Sequence, residues 1–389
     1  MDFAFTDEQL AIREAVSRYG SERLAPGYMQ REKTGFEPGL IQEMGGLGYI
    51  APEMPEDMGG AGLDAVTSGL IVEEIAYHDF NASYVQLMGS LCATILTRHA
   101  QPDLAREVVG QICRGEALVG LGLTEPGGGS DAANLKLRAT RKGDVYVLKG
   151  EKASASFAAH MHRIVLFART GSQEDRAKGV SAFLVDMDSP GITRLPYDDL
   201  GTRPVGRGSL FFDDVQVPAS RMLGDENRGF GQVMAGFDYS RGLIGLQCLG
   251  AARASLEETW AYVTEREAFG RPLAKFQGVT EPLAEFETLM EACRLLCFKT
   301  LWLRDRGLPH TSEAAMVKWW APKLAFDIIH QCLITHGHYG YSTDLPHQQR
   351  LRDVLGLQIG DGTAQIMKLV IARERVGRVA VQYAQGNNR

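Results

Sequence analysis

The hydrophobic pattern of this chain changes period twice. Up to residue 116 apolar residues recur at helical spacing; from Ala117 they come in short alternating or continuous runs; from Phe230 the helical spacing returns. This order of helices, then strands, then helices constrains the fold more than any other feature. It excludes a doubly wound sheet, in which strands and helices alternate. An α+β chain is expected, with a helical domain over 1–116, a β domain over 117–225 and a second helical domain over 226–389.

Local signals fill in the elements. Thr6-Asp-Glu-Gln9 is a capping box, with Phe5 and Leu10 placed as a hydrophobic staple, and predicts a helix to about Leu24, before Pro26. Further helices are expected over 38–46, 65–78, 82–99 and 103–114. Residues 118–123 read as a strand, 135–138 and 145–148 as a hairpin, and 163–168, 180–185 and 207–217 as further strands. Helices are expected again over about 230–268, 276–305, 312–337 and 362–385.

Composition narrows the function. The chain has 389 residues, 44% of them hydrophobic, and a net charge of −7 with no long basic run. That argues against a nucleic-acid partner. No apolar run approaches the ~18 residues of a membrane span. The first residues have neither the basic start nor the apolar core of a signal peptide. The six cysteines are scattered without a Cys-x-x-Cys pair, and Cys293 and Cys297 share a helix face suited to buried thiols. A reduced, cytoplasmic protein is expected.

Two stretches stand out. In Gly360-Asp-Gly362 a carboxylate lies between glycines at the start of a helical pattern. Spacing alone reads Asp361 as an N-cap, a role that lowers a carboxyl pKa; a general base needs the pKa raised, which burial against an apolar ligand would supply. In Thr124-Glu-Pro-Gly-Gly-Gly-Ser-Asp131 the glycines formally fit a dinucleotide fingerprint, but a hairpin follows where that motif needs a helix. The loop reads as a turn or as a nest of N–H groups and hydroxyls facing a polar cofactor. His160, His162, His336 and His338 lack the partners of a metal site. Arg241, within the long helix, reads by spacing as a solvated residue. Arg266-Glu-Ala-Phe-Gly-Arg271 reads as a charged helix end before a loop.

Together these segments resemble the acyl-CoA dehydrogenase flavoprotein family over essentially the whole chain. The carrying residues are Thr124 to Asp131, Gly150-Glu-Lys152, Arg266 with Phe269-Gly270 and Gln277, and Gly362-Thr-Ala-Gln365. The resemblance implies a helical N-terminal domain, a middle β barrel or sandwich and a C-terminal four-helix bundle. It implies bound FAD, a homotetramer built as a dimer of dimers, and an electron-transfer flavoprotein as electron acceptor. Leu123, Thr124, Gly129, Ser130, Ser154 and Ser156 would lie along the flavin. Arg266, Phe269 and Gln277 would hold the pyrophosphate and adenine of a neighbouring subunit's FAD, with Gly337, Thr363 and Gln365 completing that site. Ser130, Asp238, Arg241 and Gly362 would meet the acyl-CoA. Asp361 stands at the position of the catalytic base, which would take the α proton while flavin takes the β hydride.

The chain departs from the family pattern in ways that bear on substrate. The base is usually Glu, and Asp is shorter by one bond, ~1.5 Å. The family's second base position holds Ser240. Ser154 replaces an aromatic residue against the flavin, which opens space. His336-Gly-His-Tyr-Gly340 is bulkier than usual. A short base with added room suggests an α carbon that is branched or in a ring. The Glu151-Lys-Ala-Ser-Ala-Ser156 and Leu345-Pro-His-Gln-Gln-Arg350 stretches look like the branch acting on cyclohexane-1-carboxyl-CoA and related alicyclic thioesters. Alternatives are an acyl-carrier-protein-linked dehydrogenase, a nitroalkane-oxidase-like flavoenzyme and a non-catalytic flavin or acyl-thioester binding protein.

Overall fold

A computed structural model of the chain describes residues 4–380. Six α-helices come first: α1 (Asp7–Tyr19), α2 (Tyr28–Thr34), α3 (Leu40–Gly46), α4 (Ala65–His78), α5 (Phe80–His99) and α6 (Pro102–Cys113). Eight strands follow: β1 (Val119–Gly122), β2 (Arg138–Lys142), β3 (Val145–Ala155), β4 (Arg163–Arg169), β5 (Val180–Asp186), β6 (Ile192–Pro196), β7 (Gly208–Pro218) and β8 (Met222–Leu223). Then come α7 (Gly229–Glu265), a hairpin of β9 (Glu267–Ala268) and β10 (Arg271–Pro272), α8 (Gln277–Asp305), α9 (Thr311–Thr335), α10 (His347–Gly356) and α11 (Ala364–Val376). Among the described residues no helix is long and apolar enough to cross a membrane.

These elements form two compact units. The sheet unit comprises Gly27–Ser68 and Asn81–Ser240. Its strands run in the order β6-β7-β3-β2-β4-β5-β8, with β1 parallel to β4. β4 and β5 are apolar and almost wholly buried along their length, the pattern of strands covered on both faces. The β2–β3 ladder begins at Arg138, three residues later than the alternation suggests, because the N–H groups of Lys136 and Leu137 are taken by the Glu125 carboxylate at 2.6 and 2.9 Å. β6 and α2 went unread in the sequence; β6 is a largely exposed strand without a strong apolar alternation.

The helical unit comprises the residues up to Pro26, Gly69–Phe80 and Arg241 onward. The capping box at Thr6 and Gln9 forms as read. Of the two residues placed as a staple, Leu10 is 40% exposed and the Phe5 ring packs edge-on against Phe298 at 5.2 Å. α9 packs against α8, α10 and α11. A partly buried ion pair, Arg294 with both oxygens of the buried Glu73 at 2.6 and 2.9 Å, ties α8 to α4. All six cysteines are buried free thiols.

Candidate active site

The candidate residues fall into two sets, one in each unit. In the sheet unit, β1 runs into the glycine loop and β3 ends beside it. The Ala153 N–H donates to the Thr124 carbonyl at 2.9 Å, joining Leu123–Ser130 to Ser154 and Ser156. Beneath them lies a charge pair. The Lys152 side chain, 0% exposed, donates from Nζ to Glu125 Oε1 at 2.8 Å and to the Leu123 carbonyl at 3.0 Å. Burial pulls Lys152 down to about 8, against the opposing pull of Glu125. Glu125 therefore holds three groups of the loop floor in place through one carboxylate: the Lys136 and Leu137 N–H groups and Lys152. A β-bulge between Lys152 and Ala155 puts Ser154 at φ 60°. Its hydroxyl accepts from Arg207 Nη1 at 2.5 Å, and Arg207 is itself clamped by both oxygens of Asp199.

The loop surface is open. A Cβ built on Gly127 would meet nothing within 4 Å, and one on Gly129 only the Thr124 methyl at 3.9 Å. Among the described residues no protein group hydrogen-bonds the hydroxyls of Thr124, Ser130 or Ser156. An open backbone edged with such hydroxyls suits a flat ring with polar rims, which is the shape of a flavin. His160 and His162 lie in the turn before β4 rather than on a strand, and His162 Nδ1 accepts from the Leu118 N–H.

The second set centres on Asp361. The N-cap of α11 is not Asp361 but Thr363, whose hydroxyl accepts from the Ile366 N–H at 3.4 Å. Helical φ/ψ begins at Ala364, so an acid three residues earlier cannot reach the first free N–H groups. Asp361 instead sits in a turn at φ 55°, followed by Gly362 at φ 104°. Burial pushes its carboxyl above the ordinary range, opposed by the Lys318 ammonium and the Arg241 guanidinium. Arg241 is not a solvated residue: it is 6% exposed, and its Nη2 lies 3.4 Å from the Asp361 carbonyl. The two glycines flanking the acid differ: a Cβ on Gly360 would meet only the Gly356 carbonyl at 3.6 Å, whereas one on Gly362 would lie 2.5 Å from the Met367 methyl. Asp238, on the part of α7 that belongs to the sheet unit, is half-buried.

Arg266, Phe269 and Gln277 come together at the β9–β10 hairpin. Phe269 and Gly270 both have positive φ, 51° and 73°, the signature of a tight two-residue hairpin turn. Phe269 is 95% exposed, and with Arg271, Phe276 and Gln277 it lines a cavity of about 720 Å³. Gly337 lies at the end of α9 at φ 61°, exposed, and Gln365 is exposed on the first turn of α11. His336 is buried, stacked on Tyr262 at 4.2 Å, and His338 is exposed. Among the described residues no group of three or more His, Cys, Asp or Glu could hold a metal.

Two residues of consequence were given no role from the sequence: Lys318, which was not named, and Lys152, named only within the Gly150-Glu-Lys152 motif. Lys318 stands on the apolar stripe of α9 with Ala314, Ala315, Ala321 and Ala325, all buried. A lone cation on such a stripe was the available signal. Lys152 shares the inward phase of β3 with Tyr146 and Leu148, the same kind of signal at period two.

Comparison with known proteins agrees with this architecture. Residues 6–116, 120–215 and 227–375 match in turn the N-terminal, middle and C-terminal domains of acyl-CoA dehydrogenases. The probable acyl-CoA dehydrogenase YngJ of Bacillus subtilis is 35% identical over 96% of this chain and 99% of its own length. Benzylmalonyl-CoA dehydrogenase of Aromatoleum aromaticum is 34% identical over the same shares of the two chains, 96% and 99%. The structure of butyryl-CoA dehydrogenase from Megasphaera elsdenii superposes with a TM-score of 0.93 at 31% identity, covering 96% of this chain and 100% of that one. The chain belongs to the acyl-CoA dehydrogenase family, as an FAD-dependent oxidoreductase acting on acyl-CoA.

Proposed function

We propose that this enzyme dehydrogenates an acyl-CoA whose α carbon is branched or belongs to a ring, of the cyclohexane-1-carboxyl-CoA kind, with Asp361 as the base. The observation that carries the reading is the state of Asp361. Thr363 closes the helix, so the acid is not consumed as a cap, and burial raises its pKa. A carboxyl raised in this way suits proton abstraction, and an acid shorter by one bond than Glu, ~1.5 Å, suits a bulkier α carbon. The relative named for benzylmalonyl-CoA, a malonyl thioester substituted at its α carbon, supports room at that position.

FAD, when bound, accepts the β hydrogen as hydride. The chain's own residues do the rest. Asp361 takes the α proton, and the electron pair left behind closes the Cα–Cβ double bond. The Asp361 N–H and its neighbours at Gly362 would steady the thioester oxygen as negative charge develops there, and Arg241 and Asp238 would hold the CoA portion. Leu123, Thr124, Gly129, Ser130, Ser154 and Ser156 would line the ring of FAD. Arg266, Phe269 and Gln277 of one copy would reach the pyrophosphate and adenine in another, next to Gly337, Thr363 and Gln365. Thr363 keeps its O–H to donate, because its cap bond uses only a lone pair.

That arrangement needs at least two copies, and the family resemblance implies a homotetramer built as a dimer of dimers. Phe269 at 95% and Tyr341 at 89% exposure are large rings that a second copy would cover. An electron-transfer flavoprotein as acceptor follows from the family resemblance, and a cytoplasmic location from the scattered cysteines. Anaerobic mixing of the yellow holoenzyme with a panel of straight, branched and cyclic acyl-CoAs tests the reading. A branched or alicyclic member should bleach the flavin fastest. Faster bleaching by straight-chain thioesters would remove the substrate assignment, and bleaching by nitroalkanes alone would remove the whole reading. Asp361→Asn should keep FAD and lose bleaching.

A further inference from the structure

The turn that carries Asp361 is bonded at both ends to a single buried cation. Lys318, 1% exposed on α9, donates from Nζ to the Leu357 carbonyl at 2.6 Å, just past the end of α10, and to the Gly362 carbonyl at 3.1 Å, just past Asp361. The intervening residues include Gly360 and a left-handed aspartate; the N–H groups of Gln358, Ile359 and Gly360 bond back to α10, and on the far side of the turn only Arg241, at 3.4 Å from the Asp361 carbonyl, adds to the hold of Lys318. We propose that Lys318 is a positioning residue for the base: its ammonium fastens both ends of the 357–362 turn to α9 and supplies the fixed positive charge facing the Asp361 carboxylate. The proposal rests on Asp361 being the base.

A cation is suited to both tasks at once. Two carbonyl acceptors on one nitrogen fix a distance across the turn, and hydrogen bonds from a charged donor are about twice as strong as neutral ones. The charged and titratable groups facing this spot are few. They are Asp361 from the turn, and Arg241 and Cys248 from α7. Burial pulls the Lys318 pKa to about 8, with Asp361 holding it up, so the ammonium form prevails below that pH. Reciprocally, Lys318 and Arg241 draw the Asp361 carboxyl down against the larger effect of burial. Deleting the Lys318 charge therefore leaves the base harder to ionise.

Three holoenzyme variants separate fastening from charge. Lys318→Met removes both, Lys318→Gln keeps N–H donors without charge, and Lys318→Arg keeps charge. Two readouts are taken: the pH profile of the flavin-bleaching rate, and hydrogen–deuterium exchange of the peptide spanning 357–363. Lys318→Met should speed exchange there, slow bleaching by about tenfold or more, and move the acid limb of the profile up by about one pH unit. Lys318→Gln should move the limb with little change in exchange, and Lys318→Arg should leave the limb in place. An unmoved limb in both neutral variants overturns the proposal, as does unchanged exchange in Lys318→Met. If none of the three folds, Lys318 serves the fold alone and the proposal is again overturned. Asp361→Asn is the parallel control. Should it bleach normally, the base assignment itself is wrong; should it be inert while the Lys318 variants match the unaltered enzyme, only the role of Lys318 is wrong.

Discussion

The charge pair under the glycine loop gives a prediction whose size follows from its geometry. Glu125 accepts three hydrogen bonds, from the Lys136 and Leu137 N–H groups and from Lys152, and its partner Lys152 is 0% exposed. Glu125→Ala strands a buried ammonium, a change that costs about 3–5 kcal/mol, and leaves two backbone donors short of a partner, at about 1–3 kcal/mol each where water cannot reach them. These costs overlap, so a loss of roughly 4–6 kcal/mol is expected, a large part of the ~5–15 kcal/mol that stabilises a folded domain. Lys152→Met costs less, about 2–3 kcal/mol, because the carboxylate keeps its two backbone donors. In the double variant the stranded ammonium is gone, so adding Lys152→Met to Glu125→Ala should cost nothing further or recover stability. The assay is urea unfolding of the four holoproteins, followed by tryptophan fluorescence, with flavin release recorded alongside. Flavin should leave at lower urea in both single variants, because the pair underlies the loop assigned to the ring. Additive losses in the double variant, within about 0.5 kcal/mol, would refute the reasoning.

Two further outcomes follow from backbone features. Thr363→Ala removes the cap of α11 and should cost about 1 kcal/mol in stability, read from the thermal midpoint; an unchanged midpoint would mean that water replaces the hydroxyl at no cost. Gly115→Ala should be more damaging, by about 2–4 kcal/mol, because the residue sits at φ 68° and an added Cβ would lie 2.2 Å from the Ile41 carbonyl oxygen. An alanine variant with the original melting temperature would show that this turn can reshape.

Long elements were legible because their patterns are long. The helix expected over 276–305 spans Gln277–Asp305, and that over 65–78 spans Ala65–His78. Short ones were not. α10 begins directly after Pro346 and buries mostly polar side chains, His347, Gln349, Arg350 and Asp353, with Val354, so it shows no apolar period, and α2 is a polar seven-residue helix. The last helix was drawn from 362, but it starts at Ala364, runs to Val376 and tightens into a 3₁₀ turn through Ala380; the remainder of the expected range lies outside the described residues. The motifs located the loop at Thr124 and the acid at 361. What they could not give was support from afar. Lys318 is more than forty residues from Asp361 in sequence, and Arg241 reaches the turn from α7. The stripe of α9 marks Lys318 as inward-facing, but which groups such a cation meets depends on packing that no local spacing encodes.

The hydroxyl of Thr363 has a consequence for how position 361 could be altered. Since the helix start does not depend on the preceding carboxylate, the side chain at 361 can be exchanged without unwinding α11. The constraint on it comes instead from the backbone, which turns left-handed there, a conformation that Asp and Asn adopt several times more readily than other side-chain-bearing residues. A one-carbon-longer acid is thus penalised by the turn rather than by the helix, so relaxing the turn and lengthening the acid are coupled design moves at this site.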